Sequence, residues 1–261
     1  ERQLPDILNT PFENIEYRAG GLNHLSILVE AKFKDTAKDA YSIIRKKGPE
    51  YFKNYVNDHE IWGQKPGAER GVFFELFNRY NYLPITTDSH LGEYIQWAYS
   101  VADHEAILEF YTKYREKCLT FYENEESYQD YFDLQKKPKE RVVTIIEGII
   151  QDLNYEEAAV NLPNKGYIEY LPENIVVEVP GKINKEGIHG IKLENYPFDF
   201  STLLLSQVSV MRLTAEAILE KSKDKALKAL LADPVVNNVN DAEKLLNHMI
   251  EKQYQHLGYL I

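Results

Sequence analysis

Apolar positions run along this chain in two rhythms. From Ile15 to Phe33 they crowd together and partly alternate around Gly20-Gly21, the period-two pattern of a strand, a glycine turn and a second strand. Beyond Asp35 or Thr36, either of which can cap a helix, the spacing becomes helical as far as Lys47, where Gly48-Pro49 should stop it. A short helix is expected over Glu50 to Val56, then a loop from Gly63 to Gly71 around Pro66-Gly67. Phe73, Leu76, Phe77 and Tyr80 recur on one face of a helix over Val72 to Tyr80. Pro84 ends that pattern, because the residue before a proline is driven away from helical geometry. Another helix is expected to begin at Ser89.

The second half is dominated by helical spacing. Asp103 is placed to cap a long amphipathic helix with Ile107, Tyr111, Tyr114, Cys118 and Phe121 on one face, which makes Cys118 a buried, inert thiol rather than a nucleophile. A polar connector is expected over Glu123 to Lys139, then a helix over Arg141 to Asp152. Short strands are expected over Tyr167 to Leu171 and Ile175 to Val179, the latter closed by Pro180-Gly181. Asp199 or Ser201 caps a second long helix bearing Leu204, Val208, Met211, Ala215 and Ile218. A helix over Asp224 to Leu231 follows, and Asn240 with Glu243 resembles a capping box opening the last one. The pattern predicts a single α+β domain over residues 1–261, with long amphipathic helices packed around a small, largely antiparallel sheet.

Composition narrows the function. The 261 residues carry 30 Lys and Arg against 41 Asp and Glu, a formal charge of −11, and 44% are hydrophobic, which is a globular balance. An acidic total without clustered basic residues argues against a nucleic-acid partner. One cysteine excludes a disulfide framework and any cysteine-cluster zinc site. No unbroken apolar run suggests a membrane span, and the first residues show no secretory pattern, so a reducing, cytoplasmic setting is expected. Nineteen tyrosines suit either helix and loop interfaces or a sugar or peptide cleft.

Familiar catalytic signatures are missing. There is no glycine-rich dinucleotide loop, P-loop, His-Glu-x-x-His or Gly-x-Ser-x-Gly elbow. Gly187-Ile188-His189-Gly190 is similar to the catalytic histidine turn of lactate-type dehydrogenases, although four such residues arise readily by chance and a plain turn histidine fits as well.

Four blocks taken together are more specific. They are Ala19-Gly20-Gly21-Leu22-Asn23-His24-Leu25; the run Tyr82-Leu83-Pro84-Ile85-Thr86-Thr87-Asp88-Ser89-His90-Leu91-Gly92-Glu93-Tyr94; Val176-Val177-Glu178-Val179-Pro180; and Leu213-Thr214-Ala215-Glu216-Ala217 with Ala229-Leu230-Leu231-Ala232-Asp233-Pro234. In this order and spacing the chain resembles the C-terminal part of glycoside hydrolase family 4, the α-galactosidase, α-glucosidase and α-galacturonidase group.

The resemblance implies an NAD- and manganese-dependent glycosidase rather than a two-carboxylate one. In such enzymes NAD+ oxidises the sugar at C3, a base removes the acidified C2 proton, a divalent metal stabilises the enediolate, the C1 substituent leaves, water adds and the hydride returns. It also implies that the N-terminal dinucleotide-binding (Rossmann) domain and a cysteine-containing metal motif lie outside these residues, so the NAD site is not expected here and the chain alone is expected to be inactive. By the same resemblance His24 is the metal ligand and Asn23 contacts sugar hydroxyls. Tyr82 or Asp88 is the base, and His90 and Glu93 belong to the substrate site. A homo-oligomer is expected from the apolar and tyrosine-rich helices. The alternatives are a non-catalytic carbohydrate-binding or oligomerisation domain, or the C-terminal domain of a lactate/malate-type dehydrogenase.

Overall fold

The structure, a computed structural model, describes residues 3–56, 65–124 and 141–260. Most of the expected polar connector over Glu123 to Lys139, and the start of the Gly63 to Gly71 loop, lie outside the described residues.

The described residues build a six-stranded, wholly antiparallel sheet. Strand β1 (Ile15–Leu22) and β2 (Leu25–Phe33) form a hairpin, β3 (Leu83–Pro84) borders β2, and β5 (Val176–Asn184) joins β1 to β4 (Tyr155–Pro163), while β6 (Gly187–Gly190) folds back on β5. The α+β expectation holds, but the hairpin turns elsewhere. Its turn is Asn23-His24, and Gly20-Gly21 lie inside β1. A Cβ on Gly20 would come within 2.6 Å of Leu193 Cδ1 and onto the Glu178 carbonyl, while one on Gly21 would strike Leu25 O. These glycines let neighbouring strands approach; they do not turn the chain.

One other expected strand does not form, and another forms but runs past its expected end, each for a local reason. Tyr167 to Leu171 is a loop wrapped around the buried Asn164, whose amide donates to Ile168 O and Leu171 O and accepts from Ile168 N. Strand β5 passes straight through Pro180-Gly181. Pro180 falls opposite the register shift between Glu157 and Val160 of β4, so its missing N–H interrupts no regular ladder.

Among the described residues the helices are α1 (Leu4–Leu8), α2 (Tyr41–Asn54), α3 (Gly71–Tyr80), α4 (Asp88–Leu91), α5 (His104–Glu123), α6 (Val142–Ile150), α7 (Phe198–Leu219), α8 (Lys223–Ala232), α9 (Val239–Lys252) and α10 (Tyr254–Leu257). Helix α2 continues through Gly48-Pro49, against expectation, although an interior proline costs about 3 kcal/mol. The i, i+4 row Ile44, Gly48 and Phe52 is buried, and Gly48 packs so closely on Phe77 of α3 that a Cβ would sit 3.1 Å from its ring. Tertiary packing there outweighs local propensity.

Asp103 caps α5 as expected, accepting from Ala106 N. However, only Ala106 and Phe110 of α5 are buried, and Cys118 is half-buried, so the inert core thiol is not what forms. Helix α7 starts after Pro197, without a side-chain cap from Asp199 or Ser201, and α9 is capped by Asn238 rather than Asn240. With a mean hydropathy of 1.3 in its most apolar window, α7 is long and apolar enough to cross a membrane, the one such helix among the described residues. In this fold Phe200, Ser201, Leu204 and Gln207 are buried at its first half, with Gln207 donating to Tyr94 O, and Leu205, Met211, Ile218 and Leu219 are exposed.

Candidate functional site

Three chain segments converge at the β1–β2 turn. His24 occupies the second turn position with φ 65°, in the left-handed region. A non-glycine residue there costs on the order of 1–3 kcal/mol. The turn is held from across the sheet, because Thr86 Oγ1 donates to His24 O at 3.0 Å and Ile85 N donates to Ser26 O at 3.2 Å. From the other side Ser26 Oγ donates to Glu178 Oε1 at 2.9 Å, tying the Val-Glu-Val-Pro strand to the same hairpin.

The segment bearing His90 and Glu93 is fixed by a buried polar junction. Asp88, 1% exposed, accepts from Gly71 N at 2.7 Å, Phe73 N at 3.0 Å and Asp103 N at 3.0 Å. Glu69, equally buried and at φ 53°, accepts Asp88 N on its carbonyl and Ser89 N on Oε2. These bonds clamp the starts of α3, α4 and α5 together; α4 then presents His90, and the turn that follows it, where Glu93 N donates to His90 O at 3.2 Å, presents Glu93.

His24, His90 and Glu93 each offer one ligand atom, and these atoms lie within 4.8 Å of one another. The two imidazole rings are 4.2 Å apart at 44°. Burial, and then the proximity of His24, push the His90 pKa down, which favours the neutral ring. Neutral imidazole nitrogens and a carboxylate oxygen form a mixed N/O donor set that a divalent ion such as Mn2+ accepts, and it is the neutral ring that coordinates. Glu93 is exposed and borders a cleft of about 640 Å3 also lined by Ser89, Trp97, Tyr99 and His104.

The expected residues therefore separate into two groups. His24, His90 and Glu93 come together, and Asn23, exposed, precedes His24 in the same turn. The two candidate bases are otherwise engaged. The Asp88 carboxylate is occupied by backbone N–H groups; burial raises its pKa while those bonds lower it. The Tyr82 ring packs edge-on against Tyr41 at 5.9 Å. Glu69 and Thr86 were not anticipated, because neither stands out from its neighbours until the fold brings their partners close. His189 is exposed on the edge strand β6, opposite Lys182, which is the plain structural reading of that motif.

The model for the family 4 glycosyl hydrolase C-terminal domain matches residues 19–236. An alpha-glucosidase from Erwinia rhapontici is 42% identical over the whole chain, which spans 61% of that relative. An alpha-galacturonidase from Thermoanaerobacter italicus is 26% identical over 94% of the chain and 56% of its own length. The chain thus spans about three-fifths of the curated relatives it matches. Among solved structures, a 6-phospho-alpha-glucosidase from gut microorganisms in complex with NAD and Mn2+ is similar over 97% of this chain and 58% of that one, with a TM-score of 0.67 at 20% identity. A 6-phospho-beta glucosidase from Thermotoga maritima with manganese, NAD+ and glucose-6-phosphate gives a TM-score of 0.64 over 98% and 56%, also at 20% identity.

Proposed function

Because the chain belongs to the family 4 glycosyl hydrolases, whose C-terminal domain it carries, we propose that it forms the metal- and sugar-holding part of an enzyme that hydrolyses α-glycosides. The observation that carries this reading is the convergence of His24, His90 and Glu93 on one point beside an open cleft.

His24, His90 and Glu93 are assigned to a divalent ion, manganese by the example of the solved neighbours, and nicotinamide binding to the part of the relatives that this chain does not span. When bound, the ion supplies Lewis acidity toward a sugar oxygen and the nicotinamide supplies reversible hydride transfer. The chain's own residues position the sugar. Asn23, adjacent to His24, offers both a donor and an acceptor to neighbouring hydroxyls, and Thr86 keeps the His24 turn in its high-energy conformation. Asp88 is read as a positioning residue that seats α4, and Tyr82 as part of the packing behind β3. The exposed apolar residues of α7 are the face through which self-association is expected, to be measured by sedimentation.

The test is His24→Ala and Glu93→Gln in the intact protein. Both variants should keep their fold and lose manganese-dependent hydrolysis of α-glucosides or α-galacturonides, and calorimetric Mn2+ binding should weaken in each. Unchanged metal binding in both variants would reject the assignment.

A further inference from the structure

The Val-Glu-Val-Pro block of β5 belongs neither to the metal point nor wholly to the core. Val177 and Val179 are fully buried and anchor the strand. Glu178, between them, turns to the opposite face of the sheet and is half-buried there. A carboxylate is a poor strand former, and withdrawing it from water without donors is costly. The buried carboxylates of Asp88 and Glu69 are met by backbone N–H groups, and that of Glu157 by Arg141. Among the described residues the Glu178 side chain has a single hydrogen bond, from the Ser26 hydroxyl at 2.9 Å.

That hydroxyl stands two residues beyond His24. Ser26 Oγ is also 2.8 Å from Leu22 O, the carbonyl at the entrance to the turn. Leu22 and Leu25 close the hairpin, so the hydroxyl spans its mouth. One hydroxyl proton serves both acceptors, and Ser26 is thereby the link through which β5 holds the turn. Gly21 makes the link possible. It is paired with Ser26 on β2 and with Glu178 on β5, so the three positions form one row on one face of the sheet. With no side chain at Gly21, Ser26 and Glu178 meet across it. His24 needs such a hold, because its left-handed backbone at φ 65° persists only where the surroundings fix it. Thr86 fixes the turn from the β3 side, and Glu178 acts from the β5 side.

We propose that Glu178 is a positioning residue for the metal: through Ser26 it braces the His24 turn and so sets how tightly His24, His90 and Glu93 hold a divalent ion. The proposal rests on the glycosidase reading above for the identity of those ligands. Outer partners that orient metal ligands are commonly worth about 10- to 100-fold in metal affinity. Glu178 acts through one hydroxyl and the backbone, so the lower end of that range is expected.

Mn2+ is titrated calorimetrically into the intact wild type and its Glu178→Gln, Glu178→Val, Ser26→Ala and Glu178→Val/Ser26→Ala variants, at a temperature where melts show each to be folded. Amide hydrogen exchange at Asn23, His24 and Leu25 is followed in the same proteins without metal. Valine suits the strand and accepts no hydrogen bond, whereas glutamine keeps an acceptor oxygen without the charge. Glu178→Val and Ser26→Ala should each weaken Mn2+ binding about tenfold and quicken exchange at the turn. The double variant should be no weaker than the single ones, because both cut the same link. Glu178→Gln should restore binding and exchange to near the wild-type values. A carboxylate that merely stabilised the sheet would lower the melting temperature and leave Mn2+ affinity unchanged, which would overturn the proposal. Additive losses in the double variant, or a loss in Glu178→Gln equal to that in Glu178→Val, would overturn it too. If Glu178→Val does not fold, unchanged Mn2+ binding in Ser26→Ala is decisive against it. Absence of Mn2+ binding in the wild type would reject the metal point and this proposal with it. Binding lost in His24→Ala but kept in Glu178→Val and Ser26→Ala would reject this proposal alone.

Discussion

The Asp88 carboxylate holds the backbone nitrogen of Asp103, fifteen residues on, at 3.0 Å, and through the same oxygen it holds Gly71 N at 2.7 Å. One buried side chain thus fixes the relative positions of the helices that flank the His90–Glu93 segment. Its two oxygens are committed to N–H donors, so Asp88 is an architectural acid at a site where the sequence suggested a chemical one.

Asp88→Asn should therefore act on stability first. The amide retains one acceptor oxygen and turns NH2 toward at least one buried backbone donor, leaving it unpaired at a cost of about 1–3 kcal/mol. For a domain of this size that is a fall in melting temperature of roughly 3–10 °C. Differential scanning fluorimetry checks it. A variant with unchanged melting temperature and abolished turnover would return Asp88 to the role of base.

Tyr41 makes a comparable join on the other side of the sheet. Its hydroxyl donates to Leu28 O at 2.6 Å and accepts from Leu83 N at 2.7 Å, linking α2, β2 and the two-residue strand β3. Burial raises the pKa of that phenol far above its ordinary range, so it stays protonated at any pH the fold survives. Tyr41→Phe should cost about 2–3 kcal/mol by leaving a buried carbonyl and a buried N–H unpaired. It should also loosen β3, which carries Thr86 to the His24 turn. Hydrogen exchange at Leu83 and Ile85 should quicken in this variant, and unchanged protection there would count against the linkage.

Gly20 is the contact between hairpin and β5. An alanine there drives its Cβ onto Glu178 O and against Leu193, so β1 and β5 must part. Overpacking of this kind costs about 1–3 kcal/mol. Gly20→Ala should lower the melting temperature and, by shifting Glu178, weaken its bond to Ser26 beside the turn. Gly166, whose Cβ would meet no atom within 4 Å, has φ 81°, so alanine there tests backbone conformation alone. Similar losses at both glycines would mean that crowding at Gly20 is not the cause.

How much of this was legible in the sequence follows from the range of the forces involved. The helices with a clean 3.6-residue apolar stripe, such as α3 with Phe73, Leu76 and Phe77, are readable because their signal is local. The hairpin was readable as two strands, but its turn was not. Glycines commonly mark turns, and here they serve an approach by Glu178 and Leu193, which come from far along the chain. Pro180 misled in the same way, since only the irregular register of β4 makes it tolerable in mid-strand. At the site, the family resemblance singled out His24 as a metal ligand and His90 and Glu93 as substrate-site residues but not their convergence, which depends on the Glu69–Asp88–Asp103 junction.

The histidine pair makes the site respond to pH. The His90 pKa is lowered from its ordinary 6.5, first by burial and then by the neighbouring His24, with Glu93 and Glu69 opposing. The folded protein therefore binds fewer protons at this position than the unfolded chain does wherever the two pKa values differ. Linkage then makes stability fall as pH drops through that window, from about 6.5 downward, and level off once the folded ring is protonated too. His90 is only half-buried, so the effect is expected to be modest, and it should be read as a difference between proteins. Between pH 7.5 and 5 the wild-type melting temperature should decline more steeply than that of His90→Gln, which has no titrating ring. Added manganese should steepen the wild-type slope further, because ligand nitrogens must shed their protons before they bind. Parallel pH profiles for the two proteins without metal would show that the lowered His90 pKa is not coupled to folding, and an unaltered wild-type slope with manganese would separate the imidazole pair from the ion.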